Sequence, residues 1–201
     1  MVKNGKNVFG REAGGVESYD LTRLDVIVSD HHEFMRDLIC DVLRALGIRK
    51  VRSASDPWTA AQMFNDRPAD LVFTDWSPGF DGIGFLRLVR DMEGSADPFV
   101  PIIIVTAHTE LRHVCVARDA GATDFIAKPV AAKRLYARIC AAIEQHRAFV
   151  RTRGFFGPDR RRRQMFYEGS NRRKADDDAS AVVAPCAPRK SPCEPASGSI
   201  A

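Results

Sequence analysis

The stretch Leu71-Val72-Phe73-Thr74-Asp75-Trp76-Ser77 decides how the chain is read. Its apolar run is short and continuous, the pattern of a strand buried on both faces. It stops at a carboxylate, and turn formers follow at once in Ser77-Pro78-Gly79 and Asp81-Gly82. In an open α/β sheet the carboxyl ends of the strands are where ligands bind, so Asp75 has a stiff support and access to solvent. A lone aspartate there would be read as a cap for the following loop. Three other apolar runs argue against that. Val26-Ile27-Val28-Ser29-Asp30 ends in an acid, Pro101-Ile102-Ile103-Ile104-Val105-Thr106 in a hydroxyl, and Phe125-Ile126-Ala127-Lys128-Pro129 in an amine. Parallel in one sheet, these strands bring all four groups to one edge.

Helical patterns separate the strands. Residues 33–46 place Phe34, Leu38, Val42 and Leu46 at steps of four, and Gly47 stops the run. Residues 50–53 make a short second strand. Asp56-Pro57 starts a helix to about residue 66, with Asp as N-cap and Pro in the first turn. Phe85, Leu86, Val89 and Met92 mark a third helix, and 110–120, closed by Gly121, a fourth. Residues 131–149 make a fifth, with Leu135, Ile139 and Ile143 on one face. Five strands alternating with five helices predict an α/β fold, a doubly wound five-stranded parallel sheet in the order 2-1-3-4-5. That order sets Asp30 beside Asp75.

The chemistry follows from the residue types. Two adjacent carboxylates repel, and Mg²⁺ relieves the repulsion while bridging to a phosphoryl oxygen. A carboxylate can attack phosphorus and become an acyl phosphate. Asp75 is then the nucleophile, with Asp30, Asp75 and the Ser77 carbonyl as metal ligands. Thr106 and Lys128 would hold the equatorial oxygens.

With Gly121-Ala122-Thr123-Asp124-Phe125 leading into the last strand, Val28-Ser29-Asp30, Thr74-Asp75-Trp76, Val105-Thr106-Ala107 and Ala127-Lys128-Pro129 resemble a response-regulator receiver domain of the chemotaxis type. The resemblance covers about residues 24–147. It implies a phosphoacceptor at Asp75, a switch hydroxyl at Thr106, a phosphate-binding Lys128, and Phe125 as the aromatic whose rotamer reports phosphorylation. Two departures stand out. Receivers carry two adjacent acids after the first strand, whereas His31 takes the second place, and a neutral imidazole suits Mg²⁺ poorly. The loop after Asp75 is also one residue short. His31 and His32 themselves are read as solvated loop residues, because no further His or Cys has ligand spacing for a transition metal. His108, His113 and His146 are read as surface residues, and Trp58 and Trp76 as packing.

The 201 residues include 30 basic and 26 acidic side chains, a net charge of +4 that says little by itself. The five cysteines form no CxxC pair and point to a reduced, cytoplasmic protein, with Cys40, Cys115 and Cys140 on helices. No apolar run reaches the length of a membrane span and no signal peptide is visible. The expected organisation is a disordered leader (1–23), the receiver domain (24–148), an arginine-rich arm (149–174) and a disordered tail (175–201).

In the arm, Arg151, Arg153, Asp159 and the run Arg160-Arg161-Arg162-Arg163 stand among Phe, Gly and Pro, a stretch expected to lack regular structure. Arginine forks recognise guanine edges and phosphates, and Asp159 can accept from a guanine. No groove-reading helix is visible for duplex DNA. The arm resembles the Gly-Pro-Asp-Arg-Arg extensions of receiver-like cyclic di-GMP effectors. Two functions are therefore carried forward, beside a third, binding of RNA or a membrane surface through the arm with the core as dimeriser. One is a phosphorelay response regulator, loaded on Asp75 by a histidine kinase or phosphotransfer protein and signalling to a target protein by contact. The other is a cyclic di-GMP effector with a degenerate phosphorylation site. Neither makes the protein an enzyme beyond self-phosphorylation and dephosphorylation.

Overall fold

The computed structural model describes residues 19–144, 147–152 and 154–159, together with the backbone of 181–183. Five parallel strands form the central sheet: β1 (Asp25–Ser29), β2 (Lys50–Ala54), β3 (Leu71–Asp75), β4 (Ile102–Thr106) and β5 (Asp124–Ala127). Their order is β2-β1-β3-β4-β5, as the alternation of elements predicts. Between and after them run α1 (Glu33–Ala45), α2 (Pro57–Asp66), α3 (Gly82–Arg90), α4 (Leu111–Asp119) and α5 (Ala132–Glu144).

Strands β1, β3 and β4 are buried at every position, because helices cover both faces. Side chains alternate between two cores. Val26, Val28, Phe73, Ile103 and Val105 face Ile39, Leu43, Leu135 and Ile139 of α1 and α5. Ile27, Val72, Ile102 and Ile104 face Phe64, Phe85, Leu86 and Ala117 of α2, α3 and α4. Asp56 caps α2 as its position predicts, accepting from Thr59 N at 2.8 Å and Thr59 Oγ1 at 2.7 Å. Those bonds, the backbone one foremost, hold its carboxyl below the usual 3.8.

Several expectations need correction. On α1 the core face is Ile39, Cys40 and Leu43, whereas Phe34, at 79%, and Leu38 are exposed. Steps of four residues advance about 40° past a full turn, so a stripe of three such steps winds off any single face. Trp58 is also exposed, so packing does not explain it, while Trp76 does pack, edge-on to His113 at 5.2 Å. His108 and His113 are half-buried, and His146 lies outside the described residues. Helix α3 ends before Met92. Ahead of β1, Leu21 is buried and Tyr19 packs on the core, its hydroxyl donating to Glu144 Oε1 of α5 at 2.6 Å. The ordered fold therefore reaches into the stretch read as a leader.

The largest difference lies after α5, which ends at Glu144 rather than near residue 149. Phe149–Thr152 (β6) and Phe155–Pro158 (β7) form an antiparallel hairpin, and Ala181–Val183 (β8) pairs with β6 in a second small sheet. Non-local contacts hold this hairpin. Phe149 and Phe156 pack edge-on against Phe99 at 5.0 and 5.5 Å. The buried Arg90 lies 5.2 Å over the Phe149 ring and donates to the carbonyls of Gly121 (3.0 Å) and Pro98 (2.8 Å). Burial pulls its guanidinium down to about 9, still cationic at neutral pH.

Gly121 carries φ +100°, and a Cβ there would lie 2.8 Å from the Phe156 carbonyl. Its role thus includes close approach to the hairpin as well as stopping α4. Gly121→Ala is expected to cost about 2 kcal/mol, measured as a lower denaturation midpoint. Truncation after Arg147 should destabilise the remaining domain, and an unchanged midpoint in both would show that the hairpin does not brace the fold.

Candidate functional site

Strand register assembles the site. Ser29 is paired with Thr74, so Asp30 and Asp75 leave the sheet level with one another. Thr106 is paired with Ala127, so Lys128 leaves β5 one residue beyond it, its amide donating to the Thr106 carbonyl at 2.8 Å. Of the four polar strand ends, Asp30, Asp75 and Lys128 converge. Asp30 and Asp75 are 1% exposed.

Lys128 Nζ lies 2.8 Å from Asp30 Oδ2 and 2.8 Å from Asp75 Oδ1, an ammonium bridging two buried carboxylates. The other oxygen of each is held elsewhere. Asp30 Oδ1 accepts from His32 N at 2.9 Å, and Asp75 Oδ2 accepts from Ser77 Oγ at 2.6 Å. Arg36 Nη1 donates to the Asp30 carbonyl at 2.9 Å, tying α1 to the site. A Cβ on Gly82 would collide with the Asp75 carbonyl, so the start of α3 fits under the site only as glycine.

Two expected atoms are engaged differently. The Ser77 carbonyl, the anticipated metal ligand, accepts from Phe80 N at 2.9 Å in the turn, while the Ser77 hydroxyl is the group that reaches Asp75. Thr106 Oγ1 donates to the Trp76 carbonyl and accepts from His108 N at 3.0 Å. Phe125 is half-buried on β5 and packs on the core beneath α3 and α4.

His31 is the residue that the sequence reading missed. It is not a solvated loop side chain, since its Nδ1 lies 3.1 Å from Asp75 Oδ2 and 3.7 Å from Asp30 Oδ1. Its ring stacks on Phe80 at 5.7 Å. The signal was its place next to Asp30, but the direction of the side chain is set by Phe80, far away in sequence. The ligand atoms of Asp30, His31 and Asp75 all lie within 4.8 Å of one another, a spacing that fits one divalent cation. Two carboxylates suit Mg²⁺, whereas the imidazole nitrogen does not.

Of the arm, Arg151 is exposed on β6 and Asp159 is half-buried, its amide donating to the Ala148 carbonyl at 2.7 Å. Arg153, Arg160, Arg161, Arg162 and Arg163 lie outside the described residues. Among the described residues no helix is long and apolar enough to cross a membrane.

Comparison with known proteins agrees with this geometry. The profile of the response regulator receiver domain matches residues 26–140. The chemotaxis protein CheY of Pseudomonas aeruginosa is 32% identical over 117 residues, 58% of this chain and 93% of that protein. The phosphate regulon transcriptional regulatory protein PhoB of Escherichia coli is 31% identical over 121 residues, 60% of this chain but 52% of PhoB. Among solved structures, NtrX of Brucella abortus aligns with a TM-score of 0.53 at 30% identity, over 60% of this chain and 26% of that one. CheY4 of Vibrio cholerae aligns over 59% of this chain and 98% of its own with a TM-score of 0.54, and at 22% identity it speaks for the fold alone.

Removing the ammonium should leave two buried carboxylates facing each other. Lys128→Met is expected to lose about 3 kcal/mol in metal-free buffer, and Lys128→Met with Asp30→Asn to recover most of it. Additive losses in the double variant, read from denaturant midpoints, would show that the lysine does not act through this pair.

Proposed function

This chain belongs to the response regulator receiver domain family, and from that premise we propose that it is a two-component response regulator whose phosphoacceptor is Asp75. The observation that carries the reading is the Asp75 carboxylate at a strand end, with the Lys128 ammonium 2.8 Å from one of its oxygens. A carboxylate oxygen of Asp75 attacks phosphorus. A new P–O bond forms as the donor's bond to phosphorus breaks, and the donor atom leaves with the electron pair. Lys128 then follows the charge onto the phosphoryl oxygens, and Asp30 stays beside it to hold a cation. A divalent cation at Asp30 and Asp75 supplies charge neutralisation on those oxygens when bound.

The output follows from Thr106 and Phe125. A phosphoryl group on Asp75 offers the Thr106 hydroxyl a stronger acceptor than the Trp76 carbonyl it now holds. Its turn toward Asp75 frees space behind it, into which Phe125 rotates. The surface of α4, β5 and α5 changes with it and alters affinity for a target protein. On the input side, Phe34 and Leu38 are exposed one turn apart on α1, close after His31 in the chain. They offer an apolar contact to a histidine kinase or phosphotransfer protein.

Acetyl phosphate with Mg²⁺ or Mn²⁺ should add one phosphoryl group to the full chain by intact mass, and none to Asp75→Asn. Thr106→Ala should be labelled to a similar extent yet lose the change in Trp76 fluorescence. Labelling that survives Asp75→Asn, or no labelling under any of these conditions, overturns the reading.

The second reading, capture of cyclic di-GMP by the arm, rests on the sequence pattern of Arg151, Arg153, Asp159 and the arginine run alone. Calorimetric titration of cyclic di-GMP into the full chain tests it. Binding should be lost in Asp159→Ala with Arg160→Ala, and absence of heat in the unaltered chain discards it.

A further inference from the structure

We infer that the cation site favours a borderline transition cation such as Co²⁺ over Mg²⁺, with His31 Nδ1 as a direct ligand. The inference rests on the proposed reading of Asp30 and Asp75 as the pair that holds a cation. What brings it forward is how the four carboxylate oxygens are shared out. Lys128 takes Asp30 Oδ2 and Asp75 Oδ1. The remaining two, Asp30 Oδ1 and Asp75 Oδ2, face His31 Nδ1 at 3.7 and 3.1 Å, while also accepting from His32 N and Ser77 Oγ. A cation with bonds of about 2.0–2.2 Å to nitrogen and oxygen sits between donors about 3–4 Å apart. The spacing therefore suits a metal on the His31 side while the ammonium keeps its own oxygens.

Two physical terms favour the same class of ion. Imidazole nitrogen adds affinity for Co²⁺, Ni²⁺ and Zn²⁺ but little for Mg²⁺, which takes oxygen ligands and keeps its waters. A neutral imidazole in place of a carboxylate also removes one negative charge from the site. That weakens the ionic attraction on which a hard cation depends. The donor is preorganised, since the ring is stacked on Phe80 and its side chain is only 31% exposed. Binding needs the tautomer with the proton on Nε2, so the Nδ1 lone pair replaces the hydrogen bond to Asp75 with a bond to the metal.

All metals bind carboxylates to some extent, so the informative quantity is the Co²⁺/Mg²⁺ affinity ratio across His31 variants. The full chain, carrying Trp58→Phe so that Trp76 alone reports, is titrated with each metal without a phosphodonor. Fluorescence gives both affinities, and the visible absorption of Co²⁺ gives its ligand field. His31→Ala should reduce the ratio at least about tenfold and change the Co²⁺ spectrum. His31→Asp should tighten Mg²⁺ and move the ratio the same way. An unchanged ratio and spectrum in His31→Ala would mean that His31 only hydrogen-bonds Asp75, and the inference falls. Phosphodonors are absent from the titration, so a chain that accepts no phosphoryl group yet keeps His31-dependent cobalt binding separates failure of the proposed function from failure of this one.

Discussion

Two carboxylates held side by side, almost without exposure, are the constraint that the rest of the structure has to meet. Asp30 and Asp75 come from neighbouring parallel strands, and the register that buries Val28 beside Phe73 also brings their side chains together. Uncompensated, such a pair is costly in a low-dielectric setting. Lys128, 2.8 Å from both, makes it tolerable. The ammonium arrives from β5, at the far side of β4, so the site is complete only when the whole sheet has closed. The charge balance that stabilises this arrangement is also what the proposed phosphoryl acceptance would use, with Lys128 following charge from carboxylate to phosphate.

The opposite end of the sheet is held by different physics. The β6–β7 hairpin docks through Phe149 and Phe156 on Phe99, and the buried Arg90 both stacks on Phe149 and donates to the carbonyls of Gly121 and Pro98. Gly121 ends α4 and lies under Phe156, which couples the hairpin to the helix next to the switch strand β5. An arm leaving this hairpin starts from a surface continuous with the receiver core.

Legibility in the sequence varied with how local each cause was. The four polar strand ends, the capped start of α2 and the glycine after α4 were readable, and each stands where it was expected. The fifth helix was read through to Phe149, which instead opens strand β6, held there by contacts with Phe99 and Arg90 that lie far away in sequence. On α1 two stripes compete at the same spacing, Phe34 with Leu38 and Met35 with Ile39 and Leu43. Periodicity cannot rank them, because the choice depends on where the crossover lays the helix on the sheet.

By itself the sequence determined the architecture and the meeting of Asp30, Asp75 and Lys128. Strands covered on both faces must be short apolar runs, right-handed crossovers leave few orders for five of them, and polar residues at their carboxyl ends then meet at one edge. Only the tertiary structure decided which way His31 turns, what Thr106 holds at rest, and that the chain after α5 folds back as a hairpin. Each of these depends on partners distant in sequence: Phe80 under the imidazole, the Trp76 carbonyl in front of the hydroxyl, and Phe99 with Arg90 beneath the hairpin. Side-chain direction is settled by such contacts, and no local pattern of residues records them.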